Sequence, residues 1–136
     1  MDETDLKILA VLGDNARLSN IELAEKLGIS EGTVRNRIQK LVEEKAIRRF
    51  TVELSTGAAF TAYTLIEANP NHSGQKLVKK LKDIKGVRRV FELAGNIDFM
   101  AEIVTESALS CNETLDRVRA IPGVRKTETL TVLRIN

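Results

Sequence analysis

Between residues 30 and 40 the chain reads SEGTVRNRIQK, where three cations, Arg35, Arg37 and Lys40, face a single acid, Glu31. Ser30, Thr33, Asn36 and Gln39 are interspersed with them. With successive helical residues about 100° apart, Asn36 lies nearly opposite the apolar stripe of Val34, Ile38 and Leu41. Gly32, Gln39 and Lys40 sit beside Asn36, and Thr33, Arg35 and Arg37 lie on the flanks. Arginine can bond guanine through two N–H groups, asparagine and glutamine can do the same to adenine, and a threonine methyl can touch thymine. The chemistry of such a face is recognition of duplex DNA. Residues near the start of a reading helix meet base edges, which puts Ser30, Thr33, Asn36 and Arg37 there, while Arg35 and Lys40 suit phosphates. Gly32 leaves room for close approach of the backbone.

The flanking residues supply the elements that position this face. Ser19 and Glu22 form a capping-box pattern. Ile21, Leu23, Ala24 and Leu27 then give a two-turn helix that Gly28 can end, with Ile29 plugging the turn and Ser30 capping the next helix. Asp2 can cap an earlier helix running to about Gly13. Three helices through about Lys45 make a helix-turn-helix head of winged-helix-like type. RRFTVEL then alternates, with Phe50, Val52 and Leu54 on one face, and predicts a linking strand; STGA at 55–58 reads as a hinge. The expected domains are 1–47 for DNA binding, 48–58 for the linker and 59–136 for a second domain.

Composition narrows the class. Of 136 residues 43% are hydrophobic and 4% aromatic, so aliphatic cores are available but base-stacking platforms are not. A net charge of +2 is too small for indiscriminate polyanion binding, and residues 1–50 hold nine basic and nine acidic side chains. The argument for DNA therefore rests on local clustering. The acidic start MDETDLKI is unlike a signal peptide and no apolar run approaches a membrane span, so a cytoplasmic protein without a membrane partner is expected. One cysteine, Cys111, excludes an internal disulfide and a cysteine-rich zinc site. The one histidine, His72, reads as an exposed loop residue in NPNHSG. No catalytic triad, metal cluster or phosphate loop is present in the pattern, so neither an enzyme nor a cofactor is expected.

The second half repeats itself. LKDIKGVRRVFEL (81–93) aligns with VRAIPGVRKTETL (118–130), with Ile84/Ile121, Gly86/Gly123, Val87/Val124, Arg88/Arg125 and Leu93/Leu130 identical. Each copy reads as a helix ending at glycine and then a strand, and each is preceded by a strand, FTAYTLIEA (60–68) or IDFMAEIV (97–104). Ser73 and Ser107 are candidate caps, and Gly95 and Asn96 form a central turn. The resulting α+β architecture is a ferredoxin-like βαββαβ domain, one sheet with both helices on one face. Its other face gathers, depending on register, residues such as Tyr63, Leu65, Phe99, Ala101 and Leu130, too apolar for water, which predicts a homodimer through paired sheets.

With its stretches DETDLKIL, DNARLSNIELAEKLGIS, TVRNRIQKLVEEKAIRRF, AGNIDF and IPGVRKTETLTVLRI, the chain resembles the Lrp/AsnC (leucine-responsive, feast/famine) transcription regulators over essentially its whole length. The resemblance implies a sequence-specific regulator, dimers made through the C-terminal sheets that often assemble into octamers, and an amino-acid effector bound in the C-terminal, ligand-sensing domain. The family's turn is typically Gly-Asp-Tyr-Asp; here it is Gly95-Asn96-Ile97-Asp98, with only the first and last residues matching. An amino acid needs an acceptor for its ammonium, for which Asp98 is the candidate. Amides around Gly95 to Ile97 and the hydroxyls of Thr127 and Thr129 are candidates for its carboxylate. The same turn reads equally as a plain hairpin stabilised by Asp98. Two other readings stand beside the regulator: a sirohaem-decarboxylase-like enzyme, and a metabolite sensor that does not bind DNA.

Overall fold

The computed structural model describes residues 1–53 and 59–135, and the expected hinge at 55–58, with Leu54, lies outside them. The chain divides into two compact units, Met1–Leu54 and Ser55–Asn136.

The first unit packs α1 (Glu3–Asp14), α2 (Asn20–Leu27) and α3 (Glu31–Glu43) around Ile8, Leu12, Leu23, Ala24, Val34 and Leu41. The helix starts are set locally. At α1 the side chains of Asp2 and Asp5 each accept from the other's backbone N–H at 2.9 Å, and at α2 Ser19 and Glu22 do the same at 2.7 and 3.2 Å. Gly28 ends α2 at φ +66, where a glycine avoids the Cβ clash of the left-handed region. Residues 48–53 form no strand, contrary to the expectation from RRFTVEL. An alternating run becomes a strand only when a neighbour takes its N–H and C=O groups. Among the described residues this segment has no such neighbour, and Phe50 and Val52 remain 53% and 70% exposed.

The second unit is β1 (Phe60–Ala68), α4 (Gly74–Lys82), β2 (Val87–Glu92), β3 (Phe99–Thr105), α5 (Ala108–Arg119) and β4 (Val124–Thr131). The strands pair antiparallel in the order β2-β3-β1-β4, the topology the sequence repeat predicted. Helix residues Leu77, Leu81 and Val118 pack on Ile66, Phe99 and Ala101, and Cys111 and Leu115 pack on Ala62 and Ile103. Ser107 caps α5 through Ser110 N–H at 3.2 Å, whereas Ser73 stands at the N-cap of α4 without a side-chain cap bond.

Register corrects the expected open face. Ile66 stands opposite Phe99 and Thr64 opposite Ala101, and directly opposed residues share a face. Phe99 and Ala101 are therefore under the helices, at 6% and 0% exposure. The uncovered face carries Tyr63, Leu65, Met100, Phe91 and Leu130 around an ion pair. There Glu102 accepts from Arg89 Nε at 2.6 Å and from the Tyr63 hydroxyl at 3.4 Å, and the arginine holds the Glu102 carboxyl below its ordinary range.

The repeated glycines also differ from expectation. Gly86 and Gly123 lie in the turns between helix and strand, beyond the helix caps at Asp83 and Ala120. Both have φ near +100, and a Cβ would stand 2.7 Å from Thr114 Oγ1 at Gly86 and 2.8 Å from His72 Cγ at Gly123. The repeat is thus a backbone requirement of a tight turn packed against a neighbour.

Candidate functional site

α3 begins at Ser30, whose Oγ accepts from Thr33 N–H at 3.1 Å and bonds Thr33 Oγ1 at 2.8 Å. These bonds fix the first turn, and they leave one O–H of the pair and the Thr33 methyl open on the exposed side. Val34 and Leu41 are buried against α1 and α2, which sets the helix's rotation. Gly32, Arg35, Asn36, Gln39 and Lys40 are left exposed on the outward side.

Arg37, expected at base edges, is ion-paired within the first unit. Its Nη1 donates to Asp2 Oδ1 and Oδ2 at 2.8 and 2.6 Å and to Asp5 Oδ1 at 2.8 Å, with its side chain 30% exposed and that of Asp5 7%. The arginine holds the start of α1 against the middle of α3. Together with the Asp5 N–H, it lowers the Asp2 pKa to about 2. Asp5 is lowered as well, first by the Asp2 N–H and then by Arg37. The side-chain packing is settled by residues more than thirty positions away, which helical spacing does not report.

The remaining polar groups are held loosely. Arg35 pairs with Glu31, Gln39 Nε2 donates to Glu43 Oε1 at 2.9 Å, and Lys40 lies 3.7 Å from Glu44. Exposed pairs four residues apart contribute only about 0.3–0.5 kcal/mol, so a phosphate can displace them. Glu43 and Glu44 fall just past the window that the sequence reading counted, which is why these partners were missed. Asn36 makes no side-chain hydrogen bond among the described residues, and a Cβ on Gly32 would meet nothing within 4 Å. The first half of the outer face is thus open, unshielded and polar.

A second set of groups converges in the other unit. The β2–β3 turn closes through Leu93 N–H donating to Asp98 O at 2.9 Å, with Gly95 at φ +132. Asp98 Oδ2 accepts from Ala68 N–H at 2.8 Å and ties this turn to the end of β1. Beside it an open cleft of ≈ 540 Å³ is lined by Ala68, Asn69, Pro70, His72, Asp98 and Arg125. Arg125 pairs with Glu67 along the same edge. Asp98 is the one expected effector residue that lines this cleft. Thr127 and Thr129 lie opposite Ile66 and Thr64 on the helix-covered face, where Thr129 Oγ1 donates to Thr64 Oγ1 at 3.2 Å and Thr127 Oγ1 accepts from Arg119 at 3.4 Å. Gly95, Asn96 and Ile97 form the turn and do not line the cleft. Asn69, His72 and Arg125 were not foreseen as a group, because the β1–α4 loop and β4 meet only through the crossed strand order. Among the described residues no three histidine, cysteine or acidic side chains cluster as metal ligands, and no helix is long and apolar enough to cross a membrane.

Comparisons with known proteins agree with this division. Residues 1–48 match a family described as winged helix-turn-helix DNA-binding, and residues 61–135 match the Lrp/AsnC ligand binding domain. The HTH-type transcriptional regulator LysM of Sulfurisphaera tokodaii is 36% identical over 135 residues, covering 99% of this chain and 96% of that protein. The crystal structure of PH0061 superposes with a TM-score of 0.87 at 22% identity, covering 100% of this chain and 95% of that one. The transcriptional regulator NMB0573 of Neisseria meningitidis, solved as an L-Met complex, gives 0.75 at 23% identity and covers 98% and 90%. With a helix-turn-helix unit, a ferredoxin-like ligand-binding unit and full-length similarity to such regulators, the chain belongs to the Lrp/AsnC family of DNA-binding transcription regulators.

Proposed function

We propose that this chain regulates transcription as a homodimer or larger homo-oligomer that reads duplex DNA with the outer face of α3 and responds to a small zwitterionic metabolite of the amino-acid class. The observation that carries the DNA reading is the open side of α3. Gly32, Arg35 and Asn36 project from its first half, with Gln39 and Lys40 behind them. In this reading Asn36 and Gln39 meet base edges, Arg35 and Lys40 meet phosphates, and Ser30, Thr33 and Arg37 keep the helix in place.

The effector reading rests on the cleft, where a carboxylate, Asp98, and a guanidinium, Arg125, line one opening with Asn69 and His72. Asp98 offers an acceptor for an ammonium, and Arg125 offers donors for a carboxylate. The L-Met complex of the structurally similar NMB0573 supports an amino acid as the ligand class. Self-association is supported by the uncovered sheet face, where Tyr63, Leu65, Phe91 and Leu130 surround the Arg89–Glu102 pair. A second copy of that face would shield these groups. No observation on this chain favours the decarboxylase reading.

The test is fluorescence anisotropy of a duplex from the chain's own promoter, with single amino acids added in turn. One compound should shift the affinity, and Arg125→Ala should abolish the shift while leaving ligand-free DNA binding intact. Binding that no amino acid shifts would contradict the effector reading, and absence of duplex binding at low salt would contradict the DNA reading.

A further inference from the structure

The two repeated halves of the second unit solve the same packing problem with different charge patterns, one helix balanced and the other wholly cationic. α5 spans Ala108–Arg119 and balances Arg117 and Arg119 with Glu113 and Asp116, and Arg119 Nη1 bonds Asp116 at 3.0 Å. α4 spans Gly74–Lys82 and carries Lys76, Lys79, Lys80 and Lys82 with no acid at all. Lys85 and Arg88 continue the series, and Asp83 is the single acid between residues 76 and 88. All six cations are exposed, and none makes an ion pair among the described residues. In the first unit Lys7, Arg35 and Lys40 each have an acid four residues away within 4.0 Å, while Lys26 on α2 makes no ion pair among the described residues.

Folding does not account for this difference. Cations in the last turn complement the helix dipole, which covers Lys79, Lys80 and Lys82. α5 satisfies the same need with Arg117 and Arg119 and still carries acids. Lys76 stands in the first turn of α4, where the dipole disfavours a cation, and Lys85 and Arg88 lie beyond the helix. Leu77 and Leu81 anchor α4 on the sheet, so Lys76, Lys79 and Lys80, at spacings of three and four, share the outward side. Unpaired cations on one side of a helix repel one another, a cost that an external anion removes. Their chemistry fits a row of phosphates: compact point charges on long stems suit the sugar-phosphate backbone and carry no base specificity.

We infer that the lysine face of α4 is a second DNA contact, which engages the duplex backbone independently of sequence while α3 supplies discrimination. This rests on the DNA-binding reading above and adds to it a surface in the ligand-binding unit. Effector binding in that unit and grip on the duplex would then reside in one compact body.

The experiment compares the full-length chain with a Lys76→Gln/Lys79→Gln/Lys80→Gln variant and a Lys76→Arg/Lys79→Arg/Lys80→Arg control. Anisotropy on a long promoter duplex and on a scrambled duplex of equal length is followed across salt concentrations. Loss of three phosphate contacts lowers the slope of log affinity against log salt by about 2.7, which between about 50 and 200 mM salt amounts to about 40-fold. The glutamine variant should lose that slope on both duplexes, with the promoter-to-scrambled ratio unchanged, and the arginine control should keep the wild-type slope. An unchanged slope in a glutamine variant that still binds overturns the inference. So does an unchanged slope accompanied by a different sedimentation coefficient, which would assign the face to contacts between copies. Wild-type protein that binds neither duplex would instead overturn the DNA reading itself.

Discussion

Arg37 and Asp5 are ion-paired at 2.8 Å, and this contact joins the middle of α3 to the first turn of α1. Asp2 completes the clamp at 2.6 Å. The arginine thus acts through the position of α3, and its loss should behave differently from loss of a base contact. Arg37→Ala and Asp5→Asn are each expected to lower the thermal unfolding midpoint of the first unit, and the double variant should lose less than the two single losses together. Duplex affinity should fall for promoter and scrambled sequences alike. Circular dichroism melts beside anisotropy separate the two effects: a changed preference among sequences with an unchanged melt would make Arg37 a direct reader.

The same clamp gives the first unit an acid sensitivity. Asp2 titrates at about 2 in the folded chain against an ordinary value of 3.8, and Asp5 is lowered in the same direction. A carboxyl with a depressed folded pKa binds fewer protons in the native state, so its stabilisation is present above the ordinary value and disappears as pH falls through the folded one. The unfolding midpoint should therefore drop between about pH 4 and pH 2. Arg37→Met should flatten that drop, because the largest cause of the Asp2 shift is removed. An identical pH profile in wild type and variant would contradict the assignment.

Gly32 is a poor helix residue in an unobstructed place, since a Cβ there meets nothing within 4 Å. Alanine in its place should stabilise the first unit by about 0.5–1 kcal/mol. If α3 approaches DNA closely at this point, the same methyl should weaken duplex binding. Gly32→Ala is thus expected to raise the melting midpoint and lower affinity together. Improved stability with unchanged affinity would place the closest approach elsewhere on the helix.

What was legible in the sequence was whatever is decided within a few residues or by repetition. Ser19 with Glu22 and Ser30 with Thr33 fix helix starts through neighbours three positions away, and the structure has those bonds. The repeat of Ile84 to Leu93 in Ile121 to Leu130 disclosed the split βαβ order, because equal strands and helices must pack alike. What was not legible depends on distant partners. Phe99 and Ala101 were assigned to the wrong face because one step of register reverses every side chain. Thr127 and Thr129 were offered as donors to an effector's carboxylate, and they lie opposite Ile66 and Thr64 on the helix-covered face. The guanidinium of Arg37 was read from its position on one helix, whereas its partners belong to another. The strand expected over RRFTVEL had the alternation, but among the described residues it has no neighbour to pair with.

The most direct test of the central claim is the affinity of wild type and Asn36→Ala for a promoter duplex and a scrambled duplex at one salt concentration. Asn36 lies exposed on the outer face of α3 with no internal hydrogen bond among the described residues, so its removal should leave folding unchanged. The account predicts that wild type prefers the promoter and that Asn36→Ala loses about 1–3 kcal/mol of that preference while binding scrambled duplex as before. Equal preference in wild type and variant would contradict the assignment of α3's outer face as the reading surface.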